Sequence, residues 1–333
     1  MGTLFIDRKD LHIKLDGNAL SFYINGEREG IVPVKPLKRV VVVGNVTFET
    51  PVLHRFSDEG ISVIFLSGKR ARFCGMLHGR LHNNGILRVK QYEKSITSPD
   101  IIIEFSIDMV NRKVRAQAEL LREVMSRRPD LRFPLMNAVK TLENIIDNLH
   151  KPSPCPLPQG EMETESRIEF LMGLEGGAAA SYFSAYTRLF PESLKFKNRN
   201  RRPPEDPVNA ILSLCYTLLH YEMVREIEVI GLDPTIGFYH QFEYGRESLA
   251  CDLVEPYRPD VDRFVYEIFR ERKFTERDFS YNDERPGCYL KKESRKRFYP
   301  EYEEWGQMIR PKVVEEVRSL ARRIMDGQDP LSE

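Results

Sequence analysis

The sequence has no two cysteines close enough together to clip a loop or hold a metal. Cys74, Cys155, Cys215, Cys251 and Cys288 stand singly, and no Cys-x-x-Cys occurs. An odd, scattered set argues against a disulfide framework and a structural zinc site, and fits a reducing, cytoplasmic setting. No run approaches the roughly 18 consecutive apolar residues that a membrane helix needs. The opening Met1-Gly2-Thr3-Leu4-Phe5-Ile6-Asp7 lacks the basic start and apolar stretch of a secretory signal. Net charge is missing too, because 50 Lys and Arg balance 50 Asp and Glu. A zero total speaks mildly against a nucleic-acid binder, but phosphate binding depends on local cation clusters rather than on the sum. What is present is the composition of a soluble protein, 41% apolar and 30% charged over 333 residues. That is enough chain for two cores.

The two cores are expected to differ in kind. Thr3–Asp7, Leu11–Leu15 and Ala19–Ile24 are short strand patterns, with Asp16-Gly17 and Asn25-Gly26 on either side of the third. Such dipeptides suit the positive φ of tight hairpin turns, so a β-meander is predicted. Arg39-Val-Val-Val-Val-Gly44 reads as a buried strand, the stretch around Pro51–Glu59 as a helix and Ser62–Leu66 as another strand. From about residue 100 the apolar period becomes helical. Val110–Arg127, Phe133–Leu149, Met162–Ala185, Asp206–Ile230, Tyr257–Arg272 and Pro311–Met325 carry it, with Pro207 and Pro311 as first-turn signals. Lys151–Gly160 holds four prolines in ten residues and reads as a surface loop. The fold class is therefore α+β: a small β-rich N-terminal domain, residues 1–95, then a larger all-α domain, residues 96–333.

Three stretches of the helical part could carry chemistry. In Gly173-Leu-Glu175-Gly-Gly-Ala-Ala-Ala-Ser-Tyr182, glycines inside a helix cost about 1 kcal/mol each relative to alanine. Either something must approach the backbone beside Glu175, or helices pack tightly and Glu175 is an exposed bystander. The second stretch places His240 in a glycine- and aromatic-rich loop, followed by Asp252 and Glu255, whose spacing of three puts both on one helix face. A histidine with carboxylates is a hard-ligand set that suits Mg²⁺ or Mn²⁺ better than zinc. A buried histidine beside an acidic pair at a helix N-terminus would explain the same pattern. The third is Lys195-Phe-Lys197-Asn-Arg199-Asn-Arg201-Arg202, echoed by Lys291-Lys292-Glu-Ser-Arg295-Lys296-Arg297. Either run alone is also what a solvated surface gives. Two of them beside a carboxylate–histidine–carboxylate set favour DNA backbone as the ligand.

The sequence resembles the CRISPR-associated spacer integrase ("Cas-one") family. The resemblance rests on Glu175–Tyr182, on Arg199-Asn-Arg-Arg-Pro-Pro-Glu-Asp-Pro-Val-Asn-Ala-Ile-Leu-Ser213 with Tyr216, on Gly231-Leu-Asp-Pro through Gly-Phe-Tyr-His240, and on Gly245-Arg-Glu-Ser-Leu-Ala-Cys-Asp-Leu-Val-Glu-Pro-Tyr-Arg258. It spans nearly the whole chain; the Pro-rich insert departs from a compact family member. The resemblance implies a metal site of Glu175, His240 and Glu255, with Asp252 as a supporting or alternative ligand. It implies metal-dependent transesterification or hydrolysis of a DNA phosphodiester, with Mg²⁺ or Mn²⁺ as cofactor. It further implies a homodimer formed through the β domain and bridged by a small CRISPR adaptation partner protein. The basic residues Lys195, Lys197, Arg199, Arg201, Arg202, Lys291, Lys292 and Arg295 would hold branched or double-stranded DNA.

Two other classes compete. A non-catalytic, structure-specific DNA-binding scaffold would need no metal, yet all three candidate ligands are present. A metal-dependent phosphohydrolase of small molecules would need no basic loops, and would show a Gly-rich phosphate cradle or a denser His/Asp cluster. Neither occurs in the sequence.

Overall fold

The computed structural model describes residues 2–67, 72–78, 84–149, 151, 161–200, 203–240, 243–281 and 286–326. Its first part is built from strands. β2 (Leu11–Asp16), β3 (Ala19–Ile24) and β4 (Glu27–Pro33) form the predicted antiparallel meander, and β6 (Val46–Phe48) adds to β2 in parallel. The second turn owes its tightness to sequence: Asn25 and Gly26 both have positive φ, 51° and 85°, as a primed hairpin turn requires. A second sheet has the order β1-β5-β7-β8, formed by β1 (Gly2–Ile6), β5 (Leu37–Val42), β7 (Ser62–Ser67) and β8 (Arg72–Leu77). Helix α1 (Thr50–Asp58) links the sheets and buries Val52 and Phe56 between them.

The Val40–Val43 run joins this part to the next. Alternate residues of a strand face opposite sides. Val40 and Val42 enter the core between the sheets, with Val63, whereas Val41 and Val43 enter the helical core, with Ile64 and Leu66. The second sheet thus has helices on one face and the first sheet on the other, which is why its strands read as continuous apolar runs rather than alternating ones.

The helices follow. α2 (Gly85–Thr97), capped by Asn84, leads into α3 (Pro99–Arg127), which packs with α4 (Arg132–Asn148) and α5 (Glu161–Tyr186). α6 (Pro207–Ile230), α7 (Ser248–Val254), α8 (Arg258–Arg270) and α9 (Lys292–Ile324) complete the helical part, with a small hairpin of β9 (Phe279–Tyr281) and β10 (Cys288–Leu290). Among the described residues no helix is long and apolar enough to cross a membrane.

Two boundaries differ from expectation. α3 begins eleven residues before Val110, with Pro99 in its first turn. Pro311 does not start a helix; it lies inside α9, as does Pro300. An internal proline costs about 3 kcal/mol. Here Phe298, Tyr302, Trp305, Ile309, Val313 and Val317 bury one face of α9 on both sides of the prolines, and that burial outweighs the loss.

Candidate metal and DNA site

The loop that carries His240 follows α6, whose two ends are set by sequence. Asp206 caps α6 by accepting from Asn209 N at 2.8 Å, with Pro207 in the first turn. At the other end Gly231, φ 99°, turns the chain out of the helix. α2 then clamps the loop: buried Gln91 donates to the carbonyls of Asp233 and Ile236, both at 2.9 Å, and accepts from Asp233 N at 2.8 Å.

Asp252 orders the far end of that loop. It is fully buried on α7. Its Oδ2 accepts from Phe238 N at 2.8 Å and Tyr239 N at 3.0 Å, and its Oδ1 from His240 N at 2.9 Å. Oδ1 also lies 2.7 Å from His240 Nδ1. A carboxylate accepts, so Nδ1 carries a proton towards Asp252, and Nε2 is the ring nitrogen that remains to face a metal. Gly237 is required here: a Cβ would stand 2.8 Å from Asp252 Oδ2 and 2.9 Å from the His240 carbonyl. With four N–H groups upon it, Asp252 orients the loop and its histidine.

Glu255 follows α7 directly, in helical conformation at the start of a short 3-10 turn, and its carboxylate has other partners than that of Asp252. Glu255 Oε1 takes Arg258 Nη2 at 2.9 Å, and Oε2 takes the Lys113 ammonium at 2.5 Å. The same ammonium donates to Glu175 Oε1, and Tyr239 OH donates to Glu175 Oε2 at 2.7 Å. Burial pushes the Glu255 carboxyl up, but Arg258, Lys113 and His240 together hold it well below the usual range. Burial pulls Lys113 down, yet Glu255 and Glu175 keep it above its ordinary value. The structure therefore brings Glu175, from α5, and Glu255 together on one cation, with His240 near enough to act electrostatically on Glu255.

Among the described residues no three His, Cys, Asp or Glu side chains are gathered into a ready cage for a metal. The donor set nonetheless fits a hard divalent ion: two carboxylates converge on a positive charge, and an imidazole nitrogen is left free by its buried aspartate.

A Cβ at Gly173 or Gly176 would meet nothing within 4 Å, and at Gly177 only Ile145 Cδ1 at 3.9 Å. The glycines beside Glu175 thus do not serve tight packing inside the chain, whereas Ala178 next to them is buried.

The basic residues divide. Lys195, Lys197, Lys291 and Lys292 are exposed. Arg199 is half-buried, donating to Asn209 Oδ1 at 2.7 Å and lying 5.4 Å from the Tyr216 ring centre, which Arg258 also approaches at 4.9 Å. Arg295 is buried and grips Asp7 with Nε at 2.6 Å and Nη2 at 3.2 Å. It ties α9 to the residue that follows β1 instead of facing solvent, and Tyr299 OH donates to the same Asp7 at 3.3 Å. Arg201 and Arg202 lie outside the described residues, as do 152–160 of the Pro-rich stretch.

Sequence reasoning missed Lys113 and Tyr239. Lys113 interrupts an apolar stripe, between Val110, Val114, Gln117 and Leu121, and a lysine on a buried face needs an anionic partner. That was the available signal.

Residues 4–304 match the family described as "CRISPR associated protein Cas1". The chain is 51% identical over 332 residues, all of both chains, to CRISPR-associated endonuclease Cas1 1 of Thermodesulfovibrio yellowstonii. Its fold superposes on a CAS1 protein from Thermotoga maritima with a TM-score of 0.81 and 23% identity, over all of both chains. It superposes on a casposase bound to its integration product with a TM-score of 0.78 and 19% identity, over 99% of this chain and 92% of the other.

Proposed function

The chain belongs to the CRISPR-associated Cas1 family, and we infer that it is the metal-dependent DNA endonuclease and integrase that inserts new spacers into a repeat array. The observation that carries this reading is the convergence of Glu175 and Glu255 on one cation beside a histidine held by Asp252. Glu175, Glu255 and His240 Nε2 would hold Mg²⁺ or Mn²⁺. The ion supplies charge neutralisation at the phosphoryl oxygens and orients the nucleophile.

The chain's own groups do the rest. Asp252 fixes the tautomer and direction of His240. Tyr239 steadies Glu175 by its hydroxyl, and Arg258 anchors Glu255. In strand transfer the oxygen of a DNA 3′-hydroxyl bonds to a phosphorus at the repeat border, and that phosphorus releases the 3′-oxygen of the cut strand. In cleavage, water replaces the hydroxyl. Lys195, Lys197, Arg201, Arg202, Lys291 and Lys292 bind DNA backbone, which gives affinity and register with little base readout. Arg199 and Arg295 act from inside the fold. The strand part, residues 1–95, supplies the contact between two copies, and a small adaptation partner bridges dimers across the incoming DNA. The setting is the cytoplasm.

The test is cleavage of branched and linear DNA, with the partner supplied, in Mn²⁺ or Mg²⁺ and in EDTA. Cutting that needs the ion agrees with this reading. Cutting in EDTA contradicts it, and binding with neither cutting nor joining favours the scaffold.

A further inference from the structure

Lys113 has no part in the reaction as described, yet it sits at the centre of the ligand set. Its side chain is only 9% exposed, and its ammonium touches carboxylates from two segments far apart in sequence. Charge explains why it is there. Glu175 and Glu255 bring two negative charges, and Lys113 and Arg258 bring two positive ones, so the pocket is neutral without any metal. Without Lys113 the two carboxylates would face each other with only Arg258 between the pocket and repulsion.

The same balance turns against a divalent ion. Adding a divalent ion while the ammonium stays would set two cations against each other between the same carboxylates in a buried setting, which electrostatics opposes. The ammonium therefore has to leave the space between the carboxylates, and it needs a polar group to go to. Gln117 lies one helical turn further along α3 on the same buried face, 2% exposed, and its Oε1 has no hydrogen-bond partner among the described residues. Side chains on a helix lean toward its N-terminus, so Gln117 leans toward Lys113. A buried acceptor without a partner is uncommon and calls for an explanation.

We propose that Lys113 is the resident cation of this site, holding Glu175 and Glu255 together until a divalent ion displaces its ammonium towards Oε1 of Gln117. This makes Lys113 a positioning residue that sets how tightly, and in exchange for what, the metal is held. It rests on the metal reading above.

The experiment measures Mn²⁺ binding to the full-length protein, free of DNA, by EPR of the unbound ion. Wild type is compared with Lys113→Met, Lys113→Arg and Gln117→Met. Lys113→Met keeps the length of the stem and removes the competitor, so its Kd for Mn²⁺ tightens by about tenfold or more. Its Tm falls in EDTA and recovers with Mn²⁺ by more than wild type gains. Lys113→Arg keeps a cation in place and stays within a few-fold of wild type. Gln117→Met removes the receiving oxygen and weakens Mn²⁺ binding. A Kd for Lys113→Met equal to or weaker than wild type overturns the proposal. Should that variant not fold, a crystal structure of the wild type with Mn²⁺ decides: Nζ away from at least one carboxylate is expected. Nζ still within about 3 Å of both refutes displacement. If neither wild type nor any variant takes up Mn²⁺, the metal reading fails and this inference with it. If Mn²⁺ binds and only the expected order of affinities is absent, this inference alone fails.

Discussion

Asp252 holds His240 twice through a single oxygen, accepting from its backbone N–H at 2.9 Å and facing its ring Nδ1 at 2.7 Å. Position and tautomer of the histidine are thus set by one buried carboxylate. Asp252→Asn replaces an acceptor by a donor that must face N–H groups. Losing a charge-assisted hydrogen bond costs about 1.5–3 kcal/mol, so the melting temperature falls. An orienting partner of a ligand is worth about 10- to 100-fold in metal affinity or activity. Thermal melts and Mn²⁺-dependent cleavage rates check both effects; an unchanged rate would show that His240 needs no such support.

Glycine substitutions should separate what the fold needs from what it tolerates. Gly237→Ala forces a Cβ to within 2.8 Å of Asp252 Oδ2, and the expected outcome is loss of cleavage together with lowered stability. Gly173→Ala meets open space, and adding alanine to that helix should stabilise it by about 0.5–1 kcal/mol. Chemical denaturation of the two variants side by side checks the contrast.

The basic residues should not behave alike. Arg295→Ala takes the two-pronged partner from half-buried Asp7 and leaves it only Tyr299 OH, so stability falls, while DNA affinity of the folded protein is retained. Lys292→Ala leaves stability alone and weakens DNA binding evenly across sequences, lowering the salt slope by about one if it contacts a phosphate; Lys291→Ala does the same to DNA binding and also gives up its hydrogen bond to the Arg277 carbonyl at 2.7 Å. Urea titrations and DNA binding at several salt concentrations distinguish the two behaviours.

Asp262 gives a pH dependence of stability. It is buried among tyrosines: Tyr182 OH donates to it at 2.9 Å, and Tyr216 OH donates as well. Burial raises its carboxyl from the ordinary 3.8 to about 6, against the pull of those two hydroxyls. A raised carboxyl binds its proton more tightly folded than unfolded. Its contribution is therefore most favourable below about pH 4 and is lost as pH rises through about 6. The stability of wild type relative to Asp262→Asn should fall across that window and level off above it. A difference that rises with pH would contradict the assignment.

Much of this was legible in the sequence, for identifiable reasons. Asn25-Gly26 announced its hairpin because few other pairs reach positive φ twice. The Val40–Val43 run announced a strand buried on both faces. Glu175, His240 and Glu255 are singled out because their motifs are distinctive. What escaped depends on tertiary geometry. Pro311 looked like a helix start because local rules cannot weigh the burial that overrides it. Arg295 looked solvent-facing because nothing nearby in the chain announces Asp7, 288 residues away. Lys113 was lost inside an amphipathic pattern, since its two partners lie on distant segments.

The central claim is that Glu175, His240 and Glu255 together hold the metal that performs the chemistry. The most direct measurement is Mn²⁺- or Mg²⁺-dependent cleavage and strand transfer on branched and linear DNA, comparing wild type with Glu255→Ala and His240→Ala, with DNA binding followed in parallel. The account predicts that both substitutions abolish cutting and joining while DNA is still bound. Cleavage surviving in both variants would contradict it and move the chemistry to another site.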